Sequence, residues 1–307
     1  MNWLFFVIIA VLADSLRIFI DNYTSDIYFK GRNAASQKLF NGYSLAIIAF
    51  ILFIISGFNF SNITPVIAFL IILSGILHGF AGVPYFRALE LDESTNIGIF
   101  NQLAPVLYLI LGWFFLDESF SPLQLIAFAI IIAAPVLIVL TTRKKSRKIK
   151  LKAILFAFLY VLIAVTGNVL FVKVNSNSIN FTTSIGLVLI GKSIADFIVG
   201  YGNSKFRKRF FTVCKSSHRK VLIPLTINSI ISGIQQFTYR AALITAPAVA
   251  IASAASDSAE PIVIFFMGLV LTLIWPRFGR EKLDKKTVLV HLVATILVVV
   301  GVILLQM

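Results

Sequence analysis

Residues 13–21, ADSLRIFID, follow a stretch from Trp3 to Leu12 that carries no charge, and they set Asp14, Arg17 and Asp21 inside the same apolar run. An ionisable group in hydrocarbon costs about 2.5–3.5 kcal/mol on insertion scales, so such groups face a bundle interior or a water-filled cavity. At about 100° per residue, Arg17 lies about 60° and Asp21 about 20° from Asp14 around a helix, which puts all three on one face. Arg17 can then pair with either carboxylate. A second acidic face recurs in APAVAIASAASDSAEPIVIFF, where Ser253, Asp257 and Glu260 align immediately before Pro261. Two carboxylates on one apolar helix are suited to binding a substrate or carrying a proton. The other reading is that Arg17 or Lys192 neutralises them. Lys192 and Asp196 sit four residues apart, about 40° around a helix, and could pair with each other or meet a substrate.

These charges belong to a chain of 307 residues that is 59% hydrophobic and only 13% charged. Soluble domains lie nearer about 45–50% apolar and about 25% charged, so this composition is that of an integral membrane protein. Ten apolar runs are long enough for spanning helices. They are 2–24, 39–57, 65–87, 94–116, 122–141, 152–174, 182–202, 221–243, 246–274 and 286–306. Their length and lack of alternation exclude a barrel, and the expected fold is an all-α membrane bundle. Ser121 followed by Pro122 reads as a helix N-cap and first helical position. Asp284 reads as the N-cap of the last helix. Pro105 and Pro261 are expected inside helices, as kinks.

The net charge of +14 does not call for nucleic acid, because 23 of the 27 basic residues fall in one alternating set of segments: 21–38, 87–93, 143–152, 204–220 and 276–286. By the positive-inside rule this set is cytoplasmic and both termini are external. The single Cys214 excludes a disulfide framework and a cysteine metal cluster. The residues point to no cofactor and no metal. The uncharged start MNWLFF reads as a first membrane helix, with no cleaved leader expected.

An internal repeat organises the runs. Tyr85 begins YFRALELDESTNIGIFNQLAPVLYLILGWFFLDESFSPLQL, and Thr238 begins TYRAALITAPAVAIASAASDSAEPIVIFFMGLVLTLIWPRFGREKLDKKTV. Both pass through Ala-Leu (Ala88-Leu89, Ala242-Leu243). Each then has a run with one proline (Pro105, Pro261), and a Glu (Glu118, Glu281) three residues before an N-cap. The expected domains are residues 1–142 and 152–307, five runs each, joined by a basic linker at 143–151. An odd number of spans inverts the second copy. With its duplicated ten-helix plan, its Ala-Leu ends and its Glu before the fifth run, the chain resembles the EamA-type transporters of the drug/metabolite transporter superfamily. The resemblance implies two inverted five-helix repeats around a central cavity, with the fifth and tenth helices outside the transport core.

The expected function is secondary transport of a small polar metabolite through a plasma membrane, bacterial or archaeal, by alternating access and without enzymatic chemistry. The expected partners are that substrate and the lipid bilayer, and a homodimer is left open. The candidate substrate residues are Asp14, Arg17, Asn168, Lys192, Asp257 and Glu260, with Asp257 and Glu260 as the proton-coupling pair. Asn168 enters because an offset of about 151 residues between the repeats sets it opposite Arg17. His78, Tyr85, Asn101, Gln102, Asn228, Gln235, Gln236 and Arg240 could line the same cavity. Five intramembrane acids against two bases favour a cationic or zwitterionic substrate, or protons. Two other classes remain open: a divalent-cation channel using the acids as a ring, and an intramembrane enzyme using Asp257 and Glu260 as acid and base.

Overall fold

The computed structural model describes residues 2–24, 37–91, 103–142, 151–175, 179–216, 218–274 and 285–305. Among these residues there is no strand, and there are eleven helices. They are α1 (Trp3–Thr24), α2 (Gln37–Ile55), α3 (Pro65–Leu91), α4 (Ala104–Leu116), α5 (Pro122–Thr142), α6 (Leu151–Val174), α7 (Phe181–Gly202), α8 (Ser204–Ser216), α9 (His218–Thr245), α10 (Val249–Ile274) and α11 (Lys285–Leu304). Six of them, α1, α2, α3, α6, α7 and α10, are long and apolar enough to cross a membrane. Shorter apolar stretches lie in α4, α5 and α11. The additional helix is α8, which occupies a segment expected to be only a basic loop.

Local signals set several boundaries. Ser121 Oγ accepts from Gln124 N–H at 3.2 Å, and Gln124 Oε1 accepts from Ser121 N–H at 3.0 Å, a reciprocal capping box that starts α5 at Pro122. Asn180 caps α7 by accepting from Thr183 N–H at 3.1 Å. Asp284 lies outside the described residues. Pro261 is interior to α10, as are Pro84 to α3 and Pro224 to α9. Pro105 stands in the first turn of α4 as described, and residues 92–102 before it lie outside the described residues.

The chain divides into two compact units. Unit 1 comprises residues 1–16, 87–161 and 238–307, and unit 2 comprises 17–86 and 162–237. Each draws on both halves of the sequence, and the division falls within α1, α3, α6 and α9.

In unit 1, α10 packs against α4, α5 and α11, and α5 packs along α11. Ala134, Ile262, Ala294 and Val298 form a core cluster, with Val290, Leu297 and Val302 against it. Residues 249–256 of α10 are all buried, and most are Ala or Ser. Small side chains let helix backbones approach closely, as the sequence leads one to expect. His291 of α11 stacks on Phe265 of α10 with ring centroids 3.8 Å apart.

In unit 2, α2 packs along α7, and α8 rests on both. The α3–α7 crossing is made by glycines. A methyl on Gly75 would overlap the Val188 carbonyl oxygen, and one on Gly191 would overlap that of Ile72. Gly79, four residues after Gly75, leaves room for Ala195 and the Lys192 backbone. Two small-xxx-small faces, Gly75/Gly79 and Gly191/Ala195, thus bring the helices into backbone contact.

Candidate functional site

Two acids of unit 2, Asp196 and Asp21, are each held by a cation and an amide. Asp196 on α7 is fully buried. Its Oδ1 accepts from Lys38 Nζ at 2.6 Å and its Oδ2 from Asn41 Nδ2 at 2.5 Å, both on α2. Lys38 Nζ also donates to the Gly79 carbonyl of α3 at 3.0 Å, and it passes over Gly82, where a larger residue would crowd it. Asp196 therefore takes its cation from α2 rather than from Lys192 one turn earlier. Of the two readings of Lys192 and Asp196, mutual pairing is not the one seen at Asp196, because Lys38, counted in sequence as a loop residue, lies in the first turn of α2. In the same unit, Arg17 Nη1 pairs with Asp21 Oδ2 at 3.0 Å, and Asn228 Nδ2 donates to Asp21 Oδ1 at 2.7 Å. Arg17 and Asp21 are each about one-third exposed (33% and 32%), so their charges stay in reach of a polar medium. Asn168 is buried on α6, and Lys192 is half-buried on α7. Gln236 donates to Gln235 at 2.7 Å. His78 and Tyr85 are half-buried on α3.

Unit 1 has a different chemistry. Ser253 Oγ donates to Asp257 Oδ2 at 2.6 Å across one turn of α10. The Ser253 hydroxyl is shared with that of Tyr239 on α9, and Tyr239 Oη donates to Tyr108 Oη of α4 at 3.3 Å. Asp14 on α1 is within electrostatic reach of Asp257. Arg240, 1% exposed, lies within electrostatic reach of both phenols. Glu260 follows on α10, half-buried, immediately before Pro261. Among the described residues Asp257 makes no ion pair, and its hydrogen-bond donor is a neutral hydroxyl. The chain Tyr108–Tyr239–Ser253–Asp257 can bind a polar group or pass a proton along its hydroxyls.

Of the six candidate substrate residues, Asp14 and Asp257 share an electrostatic environment in unit 1, to which Glu260 also belongs. Arg17, Asn168 and Lys192 belong to unit 2, where Arg17 is held by Asp21. Sequence reading missed Tyr108, Tyr239, Lys38 and Asn41. Asn101, Gln102 and Glu281 lie outside the described residues. No group of three or more His, Cys, Asp or Glu suited to a metal occurs among the described residues.

Glu118, placed by the sequence three residues before the N-cap of α5, accepts from Val249 N–H through its Oε1 at 2.7 Å and so caps α10. Asp117 before it is left-handed (φ 57°) and closes α4 by donating its N–H to the Gly112 carbonyl. A methyl on Gly112 would meet the Glu118 carboxylate and make that side chain shift. Burial pushes the Glu118 carboxyl above its ordinary value, offset in part by the backbone donors of Val249 and Ala250.

No curated protein matches the chain in sequence. A solved crystal structure shares its fold with a TM-score of 0.62 at 14% identity, covering 96% of this chain and 95% of that one. The model of the EamA-like transporter family matches residues 24–141. Those residues hold the Ala88-Leu89 pair, Pro105 and Glu118, on which the sequence resemblance rests. With six helices long and apolar enough to cross a membrane, the chain is a multi-pass membrane protein whose residues 24–141 are similar to the EamA-like transporter family.

Proposed function

We propose that the protein is a secondary transporter that moves a small polar metabolite by alternating access, with two inverted five-helix repeats (1–142 and 152–307) as its moving parts and ten spans in all. Both termini are external in this reading, and α8 lies on the cytoplasmic side. The observation that carries the reading is Asp257, held by the hydroxyl of Ser253 beside Tyr239 and one turn before the proline of α10. A carboxylate locked to a cation is fixed in charge. One held by hydroxyls in an apolar helix can change protonation or accept a cationic group of the substrate without breaking a salt bridge. Glu260, immediately before Pro261, is the second member of the proton-sensitive pair.

The test begins with a thermal-shift screen of purified protein against metabolite pools to identify the substrate. Uptake of that compound is then measured in proteoliposomes under an imposed pH gradient. Asp257→Asn and Glu260→Gln are expected to abolish gradient-driven accumulation while counter-exchange persists. Accumulation by both variants at the wild-type level overturns proton coupling through α10. Flux without saturation or counter-exchange replaces the transporter reading with a channel.

A further inference from the structure

Outside the polar clusters, unit 1 contains a cavity of about 480 Å³ bounded by Arg87, Leu91, Lys152, Leu155 and Phe156. We propose that this cavity seats the phosphate headgroup of an anionic phospholipid.

Its chemistry is divided between two kinds of wall. Arg87 and Lys152 supply two exposed cations, and no acid is among the described residues that line the cavity. Leu155 is 63% exposed and stands with Phe156 and Leu91 to meet hydrocarbon. The position along the helices fits a headgroup. The apolar span of α3 ends at Ala88 and that of α6 begins at Leu151, so both cations lie at the limits of spanning segments. Lys152 is in the first described turn of α6. Both cations belong to the basic set assigned to the cytoplasmic face, which is where anionic lipids concentrate. A guanidinium offers a phosphate two donors in a fixed fork and a nearby ammonium adds a point charge, while the apolar residues accept the first carbons of an acyl chain. A free anion would gain nothing from Leu155 and Phe156, and this favours a lipid over inorganic phosphate.

The full-length protein in a neutral detergent is titrated with phosphatidylglycerol, phosphatidylcholine or inorganic phosphate, and bound lipid is counted by native mass spectrometry. Phosphatidylglycerol is expected to bind saturably and phosphatidylcholine weakly. Arg87→Gln with Lys152→Gln is expected to weaken phosphatidylglycerol binding by about 30-fold, the loss of two basic residues near an anionic group. Lys205→Gln with Lys208→Gln on α8 removes the same charge elsewhere and is expected to leave that binding in place. Equal losses in the two double variants, or competition by inorganic phosphate at concentrations matching the lipid, overturn the proposal. Saturable binding to the Leu155→Ser variant with unchanged affinity removes the acyl contact and with it the lipid assignment.

Discussion

Asp196 and Asp257 are carboxylates on largely apolar helices, and the two units hold them in opposite ways. In unit 2, Asp196 has a lysine, an amide and complete burial, and the lysine is itself tied to a third helix. In unit 1, Asp257 has a serine hydroxyl and a pair of tyrosines beyond it. A buried ion pair is strongly destabilised by removal of one partner, because the other is left as an uncompensated charge. A carboxylate held by neutral donors is tolerant of protonation. The unit 2 pair thus reads as a fastening of α2, α3 and α7, and the unit 1 group as chemistry that can change state. The packing follows the same division. Backbone meets backbone through glycine in unit 2, whereas α10 and α11 of unit 1 meet through side chains such as Phe265 and His291.

The largest effect is expected at the glycine crossing. Gly75→Leu or Gly191→Leu places a side chain where a carbonyl oxygen stands, and neither backbone can yield without parting α3 from α7. Loss of folded protein in fluorescence size-exclusion chromatography is the expected result. Gly301→Ala in unit 1 meets the Ile131 side chain first and should be milder. Equal damage at Gly75 and Gly301 would remove the contrast in packing.

Next in size is the fastening itself. Lys38→Met leaves Asp196 buried without its cation, and a loss of about 3–5 kcal/mol is expected. Adding Asp196→Leu should recover much of it. Asp257→Asn should cost far less, because the Ser253 hydroxyl can donate to an amide oxygen as it does to a carboxylate. Detergent-solubilised melting temperatures compare the three. A fall with Asp257→Asn as deep as with Lys38→Met would erase the distinction between the two carboxylates.

Arg17 lies between these cases. Its pair with Asp21 is one-third exposed, and such pairs contribute about 0–1 kcal/mol. Arg17→Ala is therefore expected to leave a folded, inserted protein. If Arg17 contacts the substrate, transport is lost all the same. Wild-type transport by Arg17→Ala at normal expression would make the charge purely structural.

The parts legible in sequence were those encoded within a few residues. The Ser121-Pro122 helix start and the alignment of Ser253 with Asp257 follow from spacing alone. Hydropathy located six helices that are long and apolar enough to cross a membrane, since lipid leaves no alternative to helix for such runs. What failed depended on distant partners. Lys38 looked like one more topological charge, and only the packing of α2 on α7 reveals it as the counter-ion of Asp196. Tyr108 and Tyr239 are aromatic residues in apolar helices, and nothing local marks their hydroxyls as a pair. The helix α8 was hidden because its basic residues outweigh its three phenylalanines in any hydropathy reading.

The smallest expected effect concerns Glu118, which joins the turn after α4 to the start of α10. Its folded-state pKa is raised by burial, so the folded protein binds this proton more tightly than the unfolded chain does. Stability from this group is then fully present below the ordinary carboxylate pKa and declines as pH rises toward the folded value. Glu118→Gln keeps an oxygen for Val249 N–H and carries no charge, so its melting temperature should lose that slope across the mildly acidic range. Glu118→Ala removes the acceptor and should cost about 1 kcal/mol at every pH, the usual loss for a helix cap. The burial of Glu118 is only partial, which keeps the slope shallow. Parallel pH profiles for wild type and Glu118→Gln would mean that Glu118 is ionised in the folded protein and acts on α10 as a charge at the helix N-terminus.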